Sequence, residues 1–304
     1  MPTVLILGAN GKIGRHSAPA FANAGWTVRR YIRGTDITAA AQGCDVIING
    51  LNPPNYHDWK RIIPAITKQV IAAAKASGAT VFVPGNLYNF GDQSGVWSEE
   101  TPHRPVARKG RIRVEMEEAY RASGVHTVVL RAGNFIDPDH EGDVLSTIYL
   151  RNIGRGFITL PAKADVMQAY AYVPDWARAA LMLAEKREQL AAFEDVLFPG
   201  LAFTAQDLKS ELELAMGRPL KVARFPWWAM NLLSPVWELA RELREMRYLY
   251  NTPHSLCSAK FNRLLPEFQH SETAAVIRAC LPKSDASDSD HARRQSSTNM
   301  TLRP

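Results

Sequence analysis

The sequence predicts an α/β protein: a doubly wound parallel sheet with a smaller mixed C-terminal lobe. Three observations predict it. An apolar run, Thr3-Val4-Leu5-Ile6-Leu7, leads directly into a glycine-spaced turn, Gly8-Ala9-Asn10-Gly11-Lys12-Ile13-Gly14. Short β-branched runs then alternate with helical periodicities as far as Leu130. In the second half this alternation gives way to shorter, mixed elements. With 304 residues, 46% hydrophobic and 22% charged, the chain is long enough for one large or two small cores.

Thr3–Leu7 is the first strand, and Arg15 to Ala24 reads as the first helix. Strand, glycine turn and helix, in that order, present backbone N–H groups and a helix N-terminus to a phosphate. Gly8 permits the tight turn, Gly11 the approach of a pyrophosphate, and Gly14 the close packing of helix on strand. Gly25 to Ile32 reads as a second strand ending in Arg33-Gly34, Thr35-Asp36-Ile37 as the stub of a third, and Ala39 to Gln42 as a turn or two of helix. Asp45 to Asn49 is a fourth strand. The spacing of Ile62, Ile63, Ile66, Val70, Ile71 and Ala74 predicts a helix from Trp59 to Ser77, closed by Gly78. Ala79 to Val83 is a fifth strand; a helix from Gly110 to Ser123 and a strand from His126 to Leu130 follow.

The second half predicts a helix from Asp175 to Lys186, a strand from Glu194 to Phe198, and a helix from Thr204 to Met216 with Thr204 as N-cap and Gly217 as stop. A strand from Leu220 to Phe225, a helix from Pro235 to Tyr250, and a short strand with a last helix between Leu256 and Cys280 complete it. The expected organisation is a nucleotide-binding lobe over residues 1–170 and an interleaved substrate lobe over 171–282. Residues 283–304, almost without apolar side chains, are expected to be a disordered tail.

Several function classes are disfavoured. No apolar run is long enough to span a bilayer, and no signal peptide precedes the first strand. Cys44, Cys257 and Cys280 are far apart and lack metal-ligand spacing, which points to a reduced, cytoplasmic setting and no bound metal. The net charge of +6 is scattered and accompanies no nucleic-acid-binding motif, so it fits an anionic dinucleotide without implying nucleic acid. The run Phe225 to Leu233, with Trp237, Arg241, Arg244 and Arg247, is expected to be core or pocket wall rather than a membrane-docking helix, so no stable membrane association is expected. A small-molecule substrate is the expected partner, and a homodimer is compatible with the sequence.

In order and spacing the motifs resemble the extended and atypical branches of the short-chain dehydrogenase/reductase superfamily, the group of sugar-nucleotide epimerases and dehydratases. The resemblance runs from about residue 3 to 282. Gly8 to Gly14 matches the phosphate loop, and Asp36-Ile37 the place where an acidic and an aliphatic residue hold the adenine. Asn49-Gly50-Leu51 matches the fourth-strand end and Pro84-Gly85 the fifth. Leu130-Arg131-Ala132-Gly133-Asn134-Phe135 is similar to the family's LRxxN strand end, followed by Asp137-Pro138, and Tyr172 to Ala177 resembles a further family segment. The resemblance implies a Rossmann fold, a nicotinamide dinucleotide held by these segments, and substrate contacts at Asn134 and Phe135. It places the acidic stretch Asp137 to Glu141 in a loop at the substrate mouth rather than at a metal.

The family's chemistry uses a Tyr and a Lys four residues apart on one helix, with a Ser or Thr at the fifth-strand end. Here the Tyr place holds Lys109, the Lys place holds Arg113, and Glu117 matches the family's Glu. Asn86 or Gly85 stands where the Ser or Thr should be, with Tyr88 close by. Three readings follow. The chain is an oxidoreductase, epimerase or dehydratase acting on a small carbonyl or hydroxyl compound, with Lys109 as acid beside Arg113, Asn86 on the carbonyl and Tyr88 as a relocated hydroxyl. Or it is a redox sensor that binds NADP and a protein partner without turnover. Or Lys109 and Arg113 form a basic face gripping a ribose or an anionic substrate.

For the cofactor, NAD-using members place an acidic residue at the end of strand two. Here Ile32 occupies that place and Arg33 follows, with Lys12 in the glycine turn and Arg30 nearby. An arginine there can pair with a 2′-phosphate, so NADP is favoured over NAD.

Overall fold

The computed structural model describes residues 1–139 and 142–282; the expected tail at 283–304, and His140 and Glu141, lie outside them. The first half runs β1 (Thr3–Leu7), α1 (Lys12–Asn23), β2 (Thr27–Arg30), α2 (Ile37–Ala41), β3 (Val46–Asn49), α3 (Trp59–Ser77), β4 (Thr80–Gly85), β5 (Gly95–Trp97), α4 (Arg108–Ser123) and β6 (Thr127–Arg131). It continues through β7 (Asn134–Ile136), β8 (Phe157–Leu160), β9 (Gln168–Tyr172), α5 (Val173–Glu185), β10 (Phe193–Leu197) and β11 (Leu201–Phe203). The last part is α6 (Ala205–Met216), β12 (Lys221–Arg224), α7 (Trp227–Leu233), α8 (Glu238–Glu245), α9 (Arg247–Asn251), β13 (His254–Leu256), α10 (Ala259–Leu264) and α11 (Thr273–Ala279).

Six strands form one sheet in the order β10-β6-β4-β3-β1-β2, every neighbouring pair parallel. Such a sheet must be covered on both faces, and its central strands are accordingly apolar throughout. Val4, Ile6, Val46, Ile48, Phe82 and Val128 pack under α1 and α5; Leu5, Leu7, Ile47, Val81 and Val129 pack under α3 and α4. The fold class expected from the sequence is therefore observed. The chain leaves β1 for β2 on one side and returns to β3 on the other, which opens a crevice at the carboxyl ends of these strands. Small sheets, β11-β9-β7, β12-β8 and β13-β5, carry the mixed remainder.

Most expected elements are present, α3 with the expected bounds. Thr204 caps α6 in a reciprocal box with Asp207, and Gly217 ends that helix at φ 64°. Two expectations fail. The stub of strand at Thr35–Ile37 is absent, because the Asp36 carboxylate accepts a hydrogen bond from Thr38 N at 2.7 Å and starts α2 instead. The single helix over Pro235–Tyr250 is two, α8 and α9, separated at Met246, and a further helix, α7, precedes them at Trp227–Leu233.

One buried histidine makes the fold pH-sensitive. His254 stacks on Trp97 with ring centroids 4.4 Å apart and Nδ1 2.7 Å from the Thr252 carbonyl, leaving Nε2 with no partner among the described residues. Burial pushes it down to about 4 from the ordinary 6.5. Between those values the unfolded chain binds the proton and the folded chain does not, so the contribution is intact above 6.5 and lost progressively as pH falls towards 4. Urea unfolding of the wild type and of His254→Phe across that range should show a shallower acid loss of stability in the variant; equal slopes would exclude His254 as a source.

Candidate functional site

The cleft begins where β1 ends. Gly8 turns the chain at φ 73°, and a Cβ there would lie 2.8 Å from the Gly50 carbonyl oxygen. At Gly14, in the first turn of α1, a Cβ would come within 2.5 Å of Ala9 Cα, so only glycine lets the helix sit this close to the strand end. The N-cap of α1 is Gly11, which has no side chain to occupy the helix N-terminus. Around this turn lies a cavity of about 640 Å³ lined by three stretches: Gly8 to Gly11 after β1, Arg30 to Arg33 after β2, and Gly50 to Asn52 after β3. These are the carboxyl ends of the strands flanking the switch in strand order.

Of the residues expected around a dinucleotide, the structure brings Gly8, Asn10, Gly11, Arg33, Gly50 and Leu51 together on the cavity wall. Ile13 is buried beneath the turn, and Lys12 opens α1. Asn49 is buried and donates from Nδ2 to the Tyr120 hydroxyl at 3.1 Å, while its Oδ1 accepts from Leu51 N and so shapes the wall indirectly. Pro84 and Gly85 end β4, away from this cavity wall. Asp36 and Ile37 do not line the cavity: Asp36 is spent on capping α2, and Ile37 is buried in the core under α3. In their stead stand Arg30, Tyr31, Ile32 and Asn52. The wall thus contains two arginines and no carboxylate, and neither Arg30 nor Arg33 has an acidic partner among the described residues.

On α4 two charged residues, Lys109 and Glu117, lie on the buried face. Gly110 lets the first turn press against the Tyr88 backbone, where a Cβ would sit 2.5 Å from the carbonyl oxygen. Lys109 is fully buried; its ammonium donates to Glu242 Oε2 at 2.6 Å, Glu245 Oε2 at 2.9 Å and the Glu242 carbonyl at 3.0 Å. An ammonium has three N–H donors, and all three are engaged. Lys109 therefore has no donor left for a substrate, and the expectation that it acts as the acid is corrected on that ground. Arg113, one turn on, has no carboxylate partner among the described residues: it donates to Asn52 Oδ1 at 3.0 Å and lies over the Trp59 ring at 4.7 Å. Burial lowers its guanidinium from the ordinary value, and the neighbouring Tyr88 and Glu117 act the other way.

Tyr88 stands beside this arginine. The Asn86 side-chain oxygen accepts from Tyr88 N at 3.0 Å, so Asn86 shapes the turn that presents Tyr88. The Tyr88 and Tyr56 hydroxyls are 3.5 Å apart, and both rings contact Trp59. Burial raises the Tyr88 phenol, opposed by Tyr56 and Arg113; Tyr88 itself, and burial, raise Tyr56 well above its ordinary value. Both are therefore neutral phenols near pH 7. Tyr56 comes from a turn after β3 in which Asn55, Tyr56 and Asp58 all have positive φ, at 53°, 60° and 44°. Asn134 is half-buried, but Phe135 packs edge-on against Trp176 in the core, so the expected pair splits to opposite faces of β7. The Asp137–Asp139 loop is held on α1 by Arg15, at 2.7 and 2.9 Å, and by His16 at 2.9 Å from Asp137.

No known family model matches the chain, and no curated protein matches its sequence. Solved structures do match it. MoeE5, in complex with UDP-glucose and NAD, superposes with a TM-score of 0.72 at 14% identity over 97% of this chain and 99% of its own. UDP-glucuronic acid 4-epimerase from Bacillus cereus, in complex with NAD, gives 0.70 at 17% identity over 91% and 96%. A nucleoside-diphosphate-sugar epimerase from Staphylococcus aureus gives 0.68 at 18% identity over 91% and 100%. The chain has the fold of these three structures, two of them epimerases. No helix of the described residues is long and apolar enough to cross a membrane.

Within that epimerase fold, reasoning from sequence missed Tyr56, Asn52 and the Glu242–Glu245 pair. Tyr56 had no motif to signal it. The glutamates did carry a trace: Glu238, Glu242 and Glu245 recur at helical spacing, and a lysine displaced into an apolar helix face needs acids from somewhere. The role of the pair can be measured. Lys109→Met should destabilise the fold by about 3–5 kcal/mol, since it removes the buried cation shared by Glu242 and Glu245 and leaves Glu242 paired with Arg108. Adding Glu242→Gln should restore part of that loss in a double-mutant cycle followed by urea unfolding, and strict additivity would show the two are uncoupled.

Proposed function

We propose that the protein binds NADP(H) in the cleft beside β1 and works as an oxidoreductase or epimerase/dehydratase-like enzyme on a small carbonyl or hydroxyl compound, with Tyr88 rather than Lys109 handling the proton. The observation that carries the cofactor reading is the wall itself: backbone amides at a helix N-terminus, Arg30 and Arg33, and no carboxylate. That donor set fits a phosphorylated ligand, and an arginine at the end of β2 fits a 2′-phosphate better than a bare ribose. The likeness to structures solved with NAD supports a nicotinamide dinucleotide of either kind.

A bound nicotinamide supplies the hydride. The chain's own groups do the remainder. Arg113 stands one turn along α4 from Lys109, supplying positive charge where the fold-mates' resemblance calls for a lysine, to hold ribose hydroxyls or an alkoxide. Tyr88, kept neutral and hydrogen-bonded to Tyr56, donates a proton to an oxygen that gains charge as hydride arrives. Asn86, half-buried, orients Tyr88, and its amide nitrogen is proposed to donate to the same carbonyl. Asn134 is the proposed substrate contact. A second reading, an NADP-binding redox sensor without turnover, draws support from the burial of Lys109 at the position that carries the family's acid.

Fluorescence titration tests the cofactor. NADPH should bind more tightly than NADH, and Arg33→Ala should weaken NADPH about 10- to 100-fold with little effect on NADH, the size of one or two charge-assisted hydrogen bonds. An unchanged NADPH affinity removes Arg33 from the site. A panel of carbonyl compounds, read by NADPH oxidation, decides between enzyme and sensor. Where turnover is found, Tyr88→Phe should lower kcat about 10²- to 10⁴-fold and leave NADPH affinity intact. Full activity in that variant would exclude Tyr88 as the acid, and tight binding without any turnover would favour the sensor.

A further inference from the structure

The α7 helix and the turn into α8 expose a row of large apolar side chains: Trp228 is 73% exposed, Leu232 72%, Val236 86% and Trp237 44%. Trp228 and Leu232, four residues apart, share one face of α7, and Val236 lies in the turn that follows it. The opposite side of the hairpin is anchored. Trp227 and Met230 are buried with Phe225, Ala240 and Tyr250, and the Trp227 indole donates to the Pro161 carbonyl at 2.7 Å. The row is therefore held outward by a packed base. This departs from the expectation that the whole aromatic run is core or pocket wall: half of it is, and half faces solvent.

The charges around the row are one-sided. From Phe225 to Trp237 there is no ionisable side chain. The acids of α8 point away, Glu238 to His57 at 2.8 Å and Glu242 and Glu245 to Lys109 at 2.6 and 2.9 Å. The arginines collect at the base of the hairpin. Arg247 lies over the Trp227 ring at 5.3 Å, Arg151 is 5.9 Å from the Phe225 ring, and Arg244 donates to the Ser234 hydroxyl at 2.7 Å. All three are exposed, and none has a carboxylate partner among the described residues.

We propose that this hairpin docks on an anionic lipid bilayer, with Trp228, Leu232 and Val236 entering the interfacial layer and Arg151, Arg244 and Arg247 meeting the phosphate headgroups. Apolar side chains that are more than two-thirds exposed stand proud of the surface, and a fluid bilayer receives such a crest without a matching pocket. Tryptophan is favoured at that boundary because one edge is apolar and the other polar. A second copy of the chain fits less well, since a two-fold contact would set arginine against arginine with no acid between. The proposal concerns a surface contact of a folded protein and is independent of what fills the cleft.

The full chain should be sedimented with phosphatidylcholine vesicles and with vesicles containing phosphatidylserine. Binding is expected to the anionic vesicles, at least about tenfold tighter than to neutral ones, and to weaken in high salt. The triple variant Trp228→Ser, Leu232→Ser, Val236→Ser should lose about tenfold or more of that binding. All three residues are exposed, so its urea unfolding should match the wild type and separate lost docking from lost folding. Arg244→Gln with Arg247→Gln should erase the preference for phosphatidylserine. Failure to bind anionic vesicles, or binding indifferent to the triple variant, would overturn the proposal. So would a wild-type dimer that the triple variant turns into a monomer, which would assign the surface to a second copy.

Discussion

One buried guanidinium fixes the carboxyl edge of the sheet. Arg131, at the end of β6, is fully buried and reaches three neighbouring elements at once. It pairs with both oxygens of Glu117 on α4 at 3.0 and 2.8 Å, with Asp195 on β10 at 2.7 Å, and with the Asn86 carbonyl beyond β4 at 2.8 Å. Burial works against its charge, but Glu117 and Asp195 outweigh that and hold it protonated. Asn89 adds a bond to Glu117 at 2.8 Å. A wholly apolar contact here would tolerate sliding; a fork of charge-assisted bonds specifies one register of helix against strand ends. The position of Tyr88, two residues past Asn86, depends on it.

The same logic explains how α8 comes to lie against α4. A lysine at position 109 points into the protein, because α4 turns that face towards Tyr56 and the loop after β4. Buried there alone it would be costly, so the fold must bring carboxylates to it, and α8 supplies two. A lysine at this one position of the helix thus decides what packs beside it some 130 residues later in the chain. Arg113 escapes such pairing. It rests on the Trp59 face, the Asn52 amide oxygen and the Met116 sulfur, leaving positive charge beside two phenols.

Much of the fold was legible because its signals are local. The glycine turn, the periodicity of α3, the Thr204 cap and the β-branched central strands each follow from a few adjacent residues. The misread parts are those where local chemistry competes or contacts are distant. Asp36 looked like a ligand-holding acid, yet an aspartate two residues before a backbone N–H is equally a helix cap, and capping prevailed. The run from Pro235 to Tyr250 had helical spacing, but spacing does not report the breaks at Val236–Trp237 and Met246. In the candidate site, the tight turn after β1 was readable from its own glycines, and the place of Arg33 on the cavity wall from its position after β2. The fate of Lys109 was not, since its partners lie on a helix that no motif connects to α4.

The turn after β3 joins these observations. Three non-glycine residues in the left-handed region within four positions cost of order 1–3 kcal/mol each where nothing compensates. Compensation is visible: Arg61 pairs with Asp58 at 2.6 Å, His57 with Glu238 at 2.8 Å, and the Lys109 ammonium lies 4.9 Å from the centre of the Tyr56 ring. The turn starts on the cavity wall at Gly50–Asn52 and ends at α3 after touching both α4 and α8. A relaxed turn would spare the strain but withdraw Tyr56 from Tyr88 and Asn52 from Arg113. The strain is therefore best understood as the cost of carrying two polar contacts to the point where the cleft, the α4 arginine and the α8 acids meet.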